Sequence, residues 1–214
     1  MTMGKETTMR MLLFSDLHGQ TGLAAELVRL SADVDLVIGA GDFGNVRRGT
    51  RECLQLLRAI SVPAVIVPGN AESYEELVEA AEVWPSARVL HGSEITINGV
   101  SFFGVGGAVP ITPFGDWSYD FTESQAAKML ECCPQHGVLV THAPPYGVAD
   151  IDGSGRSRGS HAIRDAILAR GLALAVCGHI HASAGTQLQL GATTVINAGP
   201  IGLIFELDTP SGNR

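Results

Sequence analysis

Five short stretches of this 214-residue chain carry side chains able to bind metal ions or move protons. They are Asp16 with His18, Asp42 with Asn45, Asn70, His142, and His179 with His181. Each cuts short an apolar run. In Leu172-Ala-Leu-Ala-Val-Cys-Gly-His-Ile-His, small and apolar residues read as a fully buried strand that stops at Gly178. Two histidines two residues apart in extended chain project the same way, and the glycine before them lets the backbone bring both rings to one point. The whole set is carboxylate, amide and imidazole, without cysteine. Such donors suit Mn, Fe or Zn better than a soft thiolate-bound metal or calcium. They are too many for one tetrahedral zinc with an open position. They suit two divalent ions sharing a carboxylate, an arrangement that clamps a phosphoryl group and makes a nucleophile of water.

Each piece also has an ordinary structural reading. Asp16 and Asp42 stand near glycines and suit turns. Asn70 after Gly69 suits a left-handed turn, and His142 before Ala-Pro-Pro suits a hydrogen-bonded strand end. The His179/His181 pair resists that treatment better. What favours a metal site is the recurrence of one pattern five times.

The elements that must position these residues are legible in outline. Residues 9–14, 36–40 and 64–67 read as buried strands, and apolar residues at Leu23, Leu27 and Leu30 mark one face of an intervening helix. A second helix is expected over about 50–60, with Cys53, Leu54, Leu57 and Ile60 inward. Ser73 with Glu76 reads as a capping box opening a third to about 83, and Thr122 with Gln125 opens a fourth. Residues 94–103 alternate around Asn98-Gly99, a hairpin signal. Residues 104–119 form a loop rich in Gly, Pro and aromatics. Residues 137–141 are a strand, a polar loop follows, and Ser160 caps a helix to about 170. Strands are expected at 186–190, 193–197 and 202–207. Strand–helix alternation followed by hairpins implies an α/β protein with packed sheets and helices outside. In such sheets ligands gather at the carboxyl ends of strands, where all five polar breaks fall.

The totals narrow the class. Hydrophobic residues make up 45% and charged residues 17%, which is the balance of a packed globular chain. The expected organisation is a disordered leader at 1–8, one domain over 9–208, and a frayed tail at 209–214. No apolar stretch is long enough to cross a bilayer, and residues 1–9 lack an apolar signal core, so a cytoplasmic location is expected. Cys53, Cys132, Cys133 and Cys177 show no CxxC spacing and read as reduced, mostly buried thiols. A net charge of −8 argues against broad binding to nucleic acid or anionic membranes. An anionic substrate would then need positive charge from metal ions.

The ordered set Asp-x-His, Gly-Asp-x-x-Asn, Gly-Asn, His, Gly-His-x-His resembles the calcineurin-like metallophosphoesterase superfamily over nearly the whole expected domain. Within it, Pro113-Phe114-Gly115 with Trp117, Thr141-His142-Ala-Pro-Pro-Tyr146-Gly147 and Cys177-Gly-His-Ile-His181 are similar to the metallophosphoesterase-domain (MPPED-type) branch. The resemblance implies a two-sheet β-sandwich with helices on both outer faces. It implies that Asp16, His18 and His181 bind one divalent ion and Asn70, His142 and His179 a second, with Asp42 bridging and Asn45 supporting from behind. Mn²⁺ is the expected metal, with Fe or Zn as alternatives. The implied chemistry is in-line attack on phosphorus by a hydroxide held between the ions.

One departure stands out. Where the family motif continues Gly-Asn-His, this chain has Ala71 followed by Glu72. That histidine is thought to protonate the leaving oxygen, and loss of a general acid costs about 10²–10⁴ in rate. The expectation is a phosphodiesterase for small phosphodiesters, cyclic nucleotides among them, that favours good leaving groups. Glu72 and His161 are candidate substitute acids. Arg156 and Arg158 are candidates to grip substrate phosphate, and Phe114, Trp117 and Tyr146 to line a stacking wall. Each of these has a structural alternative: a packed or solvated loop residue. At the functional level the alternatives are a phosphomonoesterase and a feebly active metal-binding scaffold. His91 and His136 read as surface turn residues without a role.

Overall fold

The computed structural model of the chain describes residues 7–209. The first half alternates strand and helix: β1 (Thr7–Phe14), α1 (Thr21–Leu30), β2 (Leu36–Gly39), α2 (Thr50–Leu57), β3 (Ala64–Ile66), α3 (Tyr74–Ala81) and β4 (Ala87–Val89). The hairpin β5 (Ser93–Ile97) and β6 (Val100–Val105) follows, then α4 (Glu123–Leu130), β7 (Val138–Thr141), α5 (His161–Arg170) and β8 (Leu174–Cys177). The chain ends through β9 (Gln187–Leu190), β10 (Thr193–Asn197) and β11 (Leu203–Thr209). One five-stranded sheet has the order β11-β1-β2-β3-β4, and a six-stranded sheet has the order β5-β6-β7-β8-β10-β9. In the first, β1 to β4 run parallel and β11 returns antiparallel beside β1. In the second, β6, β7, β8 and β10 run parallel between antiparallel edges.

Strand alternation builds the layers. Met9, Met11 and Leu13 of β1 face the space between the sheets, with Ile38, Val65, Phe102, Val140, Val176 and Ile196. Leu12 and Phe14, from the same strand, pack against Leu27, Leu54, Leu57 and Leu77 on α1, α2 and α3. Phe103, Leu139 and Ala175 pack against Leu130, Ile163 and Ile167 of α4 and α5. Both faces of the central strands are thus dry, which is why they read as unbroken apolar runs. The result is the expected two-sheet sandwich with helices on both outer faces. Truncating a core leucine such as Leu12 to Ala would cost about 2–5 kcal/mol.

Local signals worked where they were complete. Ser73 Oγ accepts the Glu76 N–H at 3.3 Å while Glu76 Oε2 accepts the Ser73 N–H at 2.7 Å. Thr122 and Gln125 repeat the motif, and Ser160 caps α5 by accepting the Ile163 N–H. Asn98 and Gly99 take φ of 51° and 81° in the hairpin turn. Helix ends ran short of expectation: α2 stops at Leu57 and α3 at Ala81, because each last turn tightens before the next loop. Even so, Ile60 stays buried. β1 opens at Thr7, ahead of Met9, because residues 7 and 8 pair with residues 209 and 208. The remainder of the expected leader and tail lies outside the described residues. Among the described residues no helix is long and apolar enough to cross a membrane.

Candidate metal centre

The carboxyl ends of β1, β2 and β3 from one sheet meet those of β7 and β8 from the other, and the polar breaks converge there. His18 Nε2 lies 3.0 Å from His181 Nε2 and 3.6 Å from Asp42 Oδ2. His181 Nε2 is 3.5 Å from Asp16 Oδ1. His142 Nε2 is 3.5 Å from Asp42 Oδ1 and 3.1 Å from Asn70 Oδ1. The His179 ring stands edge-on to that of His142, with centroids 5.0 Å apart. Two sets of donor atoms fall within 4.8 Å of one another: Asp16, His18 and His181, and Asp16, Asp42 and His142. All seven residues expected as ligands therefore share one cluster. Asp16 reaches both sets, whereas the resemblance gave the bridging place to Asp42 alone.

The backbone around the cluster is unusual. Asp16, His18, Asp42 and His179 have φ of 57°, 47°, 57° and 66°, a left-handed conformation that costs a non-glycine residue roughly 1–3 kcal/mol. Cross-loop hydrogen bonds hold them there. Asp16 N–H donates to Gly41 O at 2.9 Å, His18 N–H to Asp42 O at 2.9 Å, and Ala71 N–H to Asp42 Oδ1 at 2.7 Å. His179 N–H donates to both Asp16 oxygens, at 3.0 and 3.1 Å. The loops lie so close that two glycines are obligatory. A Cβ on Gly178 would sit 2.5 Å from Ser15 Cβ and 2.6 Å from Asp16 Oδ2, and one on Gly69 would overlap the Asp42 carboxylate.

The donor chemistry fits a pair of cations. His142 Nδ1, 2.8 Å from Ala40 O, must carry the proton to satisfy that carbonyl. In the charged ring Nε2 donates to Asn70 Oδ1 at 3.1 Å, and in the neutral ring it presents a lone pair there, the form that would bind a metal. Asn70 is fixed with its oxygen inward because Nδ2 donates to Ser118 Oγ at 3.0 Å. No Lys or Arg is among the residues lining this cavity. Burial raises the Asp16 carboxyl, but His181, the charge of His142 and the Ser15 hydroxyl outweigh it and hold the pKa at about 2. Burial and the charge of His142 push His179 down to about 3, leaving it neutral with a free lone pair. His142 and His181 move upward. For His142 the carboxylates of Asp42 and Asp16 outweigh burial, and for His181 the hydrogen bond to Asp16 dominates. Acceptors crowded in this way need shared positive charge.

Other expected site residues fall in different places. Glu72 is fully buried, and both its oxygens accept backbone N–H groups, from Phe43, Gly44 and Gly69. It ties loops together and does not line the cavity over the cluster, which favours its structural reading over that of a substitute acid. His161 is exposed at the start of α5 and stacks on Tyr146, with centroids 4.1 Å apart. Neither ring lines the cavity over the cluster, and Arg156 is likewise exposed outside it. Asn45 does line it, as do Ala71, Phe114 and Trp117, the last two stacked with centroids 5.6 Å apart. Arg158 lines an adjoining cavity that also touches His179. His91, expected as a surface turn, instead sits among Tyr74, Tyr119 and Phe121 and accepts the Gly106 N–H at Nδ1. Asn197 went unread: its Nδ2 donates to Ala149 O, Gly178 O and Ile180 O at 3.3, 3.1 and 3.2 Å. It ends the apolar run Val195-Ile196 and so showed the same abrupt break as the ligands.

A sandwich whose strand ends gather two carboxylates, an amide and four imidazoles defines a class of α/β proteins with a metal-binding edge. The sequence model of the calcineurin-like phosphoesterases matches residues 9–183, and the chain belongs to that family. No curated protein sequence matches it. Among solved structures it is similar to the protein TT1561 of Thermus thermophilus, at 20% identity over 91% of each chain and a TM-score of 0.72. It is similar to a dimetal phosphatase from Danio rerio at 14% identity, covering 95% of this chain and 89% of that one, with a TM-score of 0.62. A novel archaeal phosphodiesterase aligns at 14% identity, over 89% and 84%, with a TM-score of 0.50. At such identities these likenesses show the shared fold.

Proposed function

We propose that this chain is a dinuclear, Mn²⁺-dependent phosphodiesterase of the cytoplasm acting on small phosphodiesters with good leaving groups. The observation that carries the reading is the cluster itself: Asp16, His18, Asp42, His142 and His181 place donor atoms within 4.8 Å in two overlapping sets, and Asn70 and His179 adjoin them. No Lys or Arg lines the cavity. Asp16, His18 and His181 would hold one ion and Asn70, His142 and His179 the other, with Asp42 between. Such ions, when bound, supply Lewis acidity and a water that ionises near neutral pH. The chain's own contribution is placement. Ala40 O fixes the His142 tautomer, Ser118 fixes Asn70, and Phe114, Trp117 and Ile180 give the cavity an apolar side.

The preference for good leaving groups rests on Ala71. It lines the cavity where the family motif has histidine, and neither Glu72 nor His161 lines that cavity. An ester whose leaving group departs without a proton, such as an aryl diester, then reacts best. Cyclic nucleotides enter through ring strain alone, since their leaving oxygen is a ribose alkoxide. The same alanine favours a second reading, a metal-binding scaffold of little activity.

Metal analysis together with assays on bis(4-nitrophenyl) phosphate, 4-nitrophenyl phosphate and a dialkyl phosphate separates the readings. The expected result is about two ions per chain, turnover of the aryl diester with Mn²⁺, and a loss of about 100-fold or more in Asp42→Asn. Bound metal without turnover of any ester would establish the scaffold. Equal rates on aryl and alkyl diesters would remove the argument from Ala71.

A further inference from the structure

The cavity over the cluster, about 400 Å³, does not end there. Phe114, His179 and Ile180 also line a second cavity of about 370 Å³, so the two share a wall. The second is largely apolar, with Pro110, Ile111 and Pro113 among its lining. Ile111 and Phe114 are 60% and 51% exposed, apolar surface left to water beside a polar centre. Arg158 is the one Lys or Arg lining either cavity.

Arg158 is held in a way that leaves its terminal nitrogens available. Its N–H donates to Asp150 O at 3.0 Å and its Nε to Asp152 Oδ2 at 2.7 Å. Asp152 is itself pinned by the Ser154 N–H, the Ser154 hydroxyl and the Arg156 N–H. Among the described residues neither terminal nitrogen of Arg158 has a hydrogen-bond partner. The scissile phosphate belongs to the metal-ligand cluster, and Arg158 does not line that cavity. The anion it suits is a second one.

We propose that the cavity beside His179 is a subsite for the substrate's organic substituent, taking an apolar span that ends in an anionic oxygen group bound by Arg158. This rests on the phosphoesterase reading for its occupant and narrows the substrate class to doubly anionic esters. An ordinary exposed ion pair between Arg158 and Asp152 would contribute little to any ligand, so the two explanations differ in what they predict.

The test compares hexylphosphonate with ω-phosphonohexanoate, binding measured by calorimetry on the Mn²⁺-loaded protein. It adds turnover of the matching 4-nitrophenyl phosphate diesters. The subsite predicts about tenfold tighter binding of the carboxylate-bearing compound. Arg158→Gln should bring that ratio to one and Arg158→Lys should keep part of it, while Ile111→Ser should weaken both compounds. The proposal is overturned if the two phosphonates bind alike, if neither binds, or if the preference survives Arg158→Gln. Preferential binding without turnover of either diester would uphold the subsite and sink the phosphoesterase reading alone.

Discussion

Glu72 has no contact with solvent, and its oxygens accept three backbone N–H groups: Phe43 at 3.3 Å, Gly69 at 2.9 Å and Gly44 at 3.1 Å. Those groups belong to the loops that carry Asp42 and Asn70, so this one side chain fastens two ligand-bearing loops. Burial and the nearby charge of Asp42 raise its pKa. Glu72→Gln places an amide NH₂ against an N–H donor and should cost about 1–3 kcal/mol in urea denaturation. An unchanged midpoint with lost activity would return Glu72 to the chemistry. His91 gives a pH prediction of definite sign. Burial lowers its pKa, so the folded protein binds its proton less readily than the unfolded chain does. The stability this contributes is present above the ordinary histidine range and is lost as pH falls through it toward the folded value. Thermal melts between about pH 7 and 5 should therefore fall more steeply for the natural protein than for His91→Gln. Parallel slopes would show that the aromatic cage does not bias the titration.

At the scale of elements, Asn197 is the counterpart of Glu72 for the opposite sheet. It stands at the end of β10, is fully buried, and donates to the carbonyls on either side of His179. Asn197→Asp would turn an acceptor toward three carbonyl oxygens. It should lower metal affinity by about 10–100-fold in a chelator competition, and a lowered melting point with unchanged affinity would deny it the positioning role. The candidate ligands were conspicuous because each one follows a strand buried on both faces, where a lone polar residue stands out. Capping boxes and the Asn-Gly turn were legible because their chemistry is local. β4 was not: β3 is as short but shows as an unbroken apolar run, whereas Arg88 interrupts Ala87–Val89. His91 was misread because Tyr74, Tyr119 and Phe121 reach it from separate segments. The particular tie made by Glu72 was not legible, because nothing in Ala71-Glu72 announces three N–H groups arriving from elsewhere.

For the whole molecule, the cluster is also a joint. Asp16, His18, Asp42 and Asn70 leave strands of the five-stranded sheet, while His142, His179 and His181 leave strands of the six-stranded one. The apolar filling between the sheets reaches this edge at Ala40, Val67 and Ala198, and beyond it the layers meet through facing acceptors. Without cations that end is held by cross-loop bonds such as His179 N–H to Asp16 and Gly178 N–H to His142 O at 3.0 Å. Ions binding there would join the sheets and stabilise only the folded state. At free Mn²⁺ near 100 times its Kd, each site adds about 2.7 kcal/mol. In a domain of this size that corresponds to a rise of roughly 5–10 °C per site. Melting curves after chelation and after Mn²⁺ return should differ by at least that much, and Asp42→Asn should remove most of the difference. A chelated protein that melts with the loaded one would mean that the facing acceptors are neutralised by protons rather than by metal.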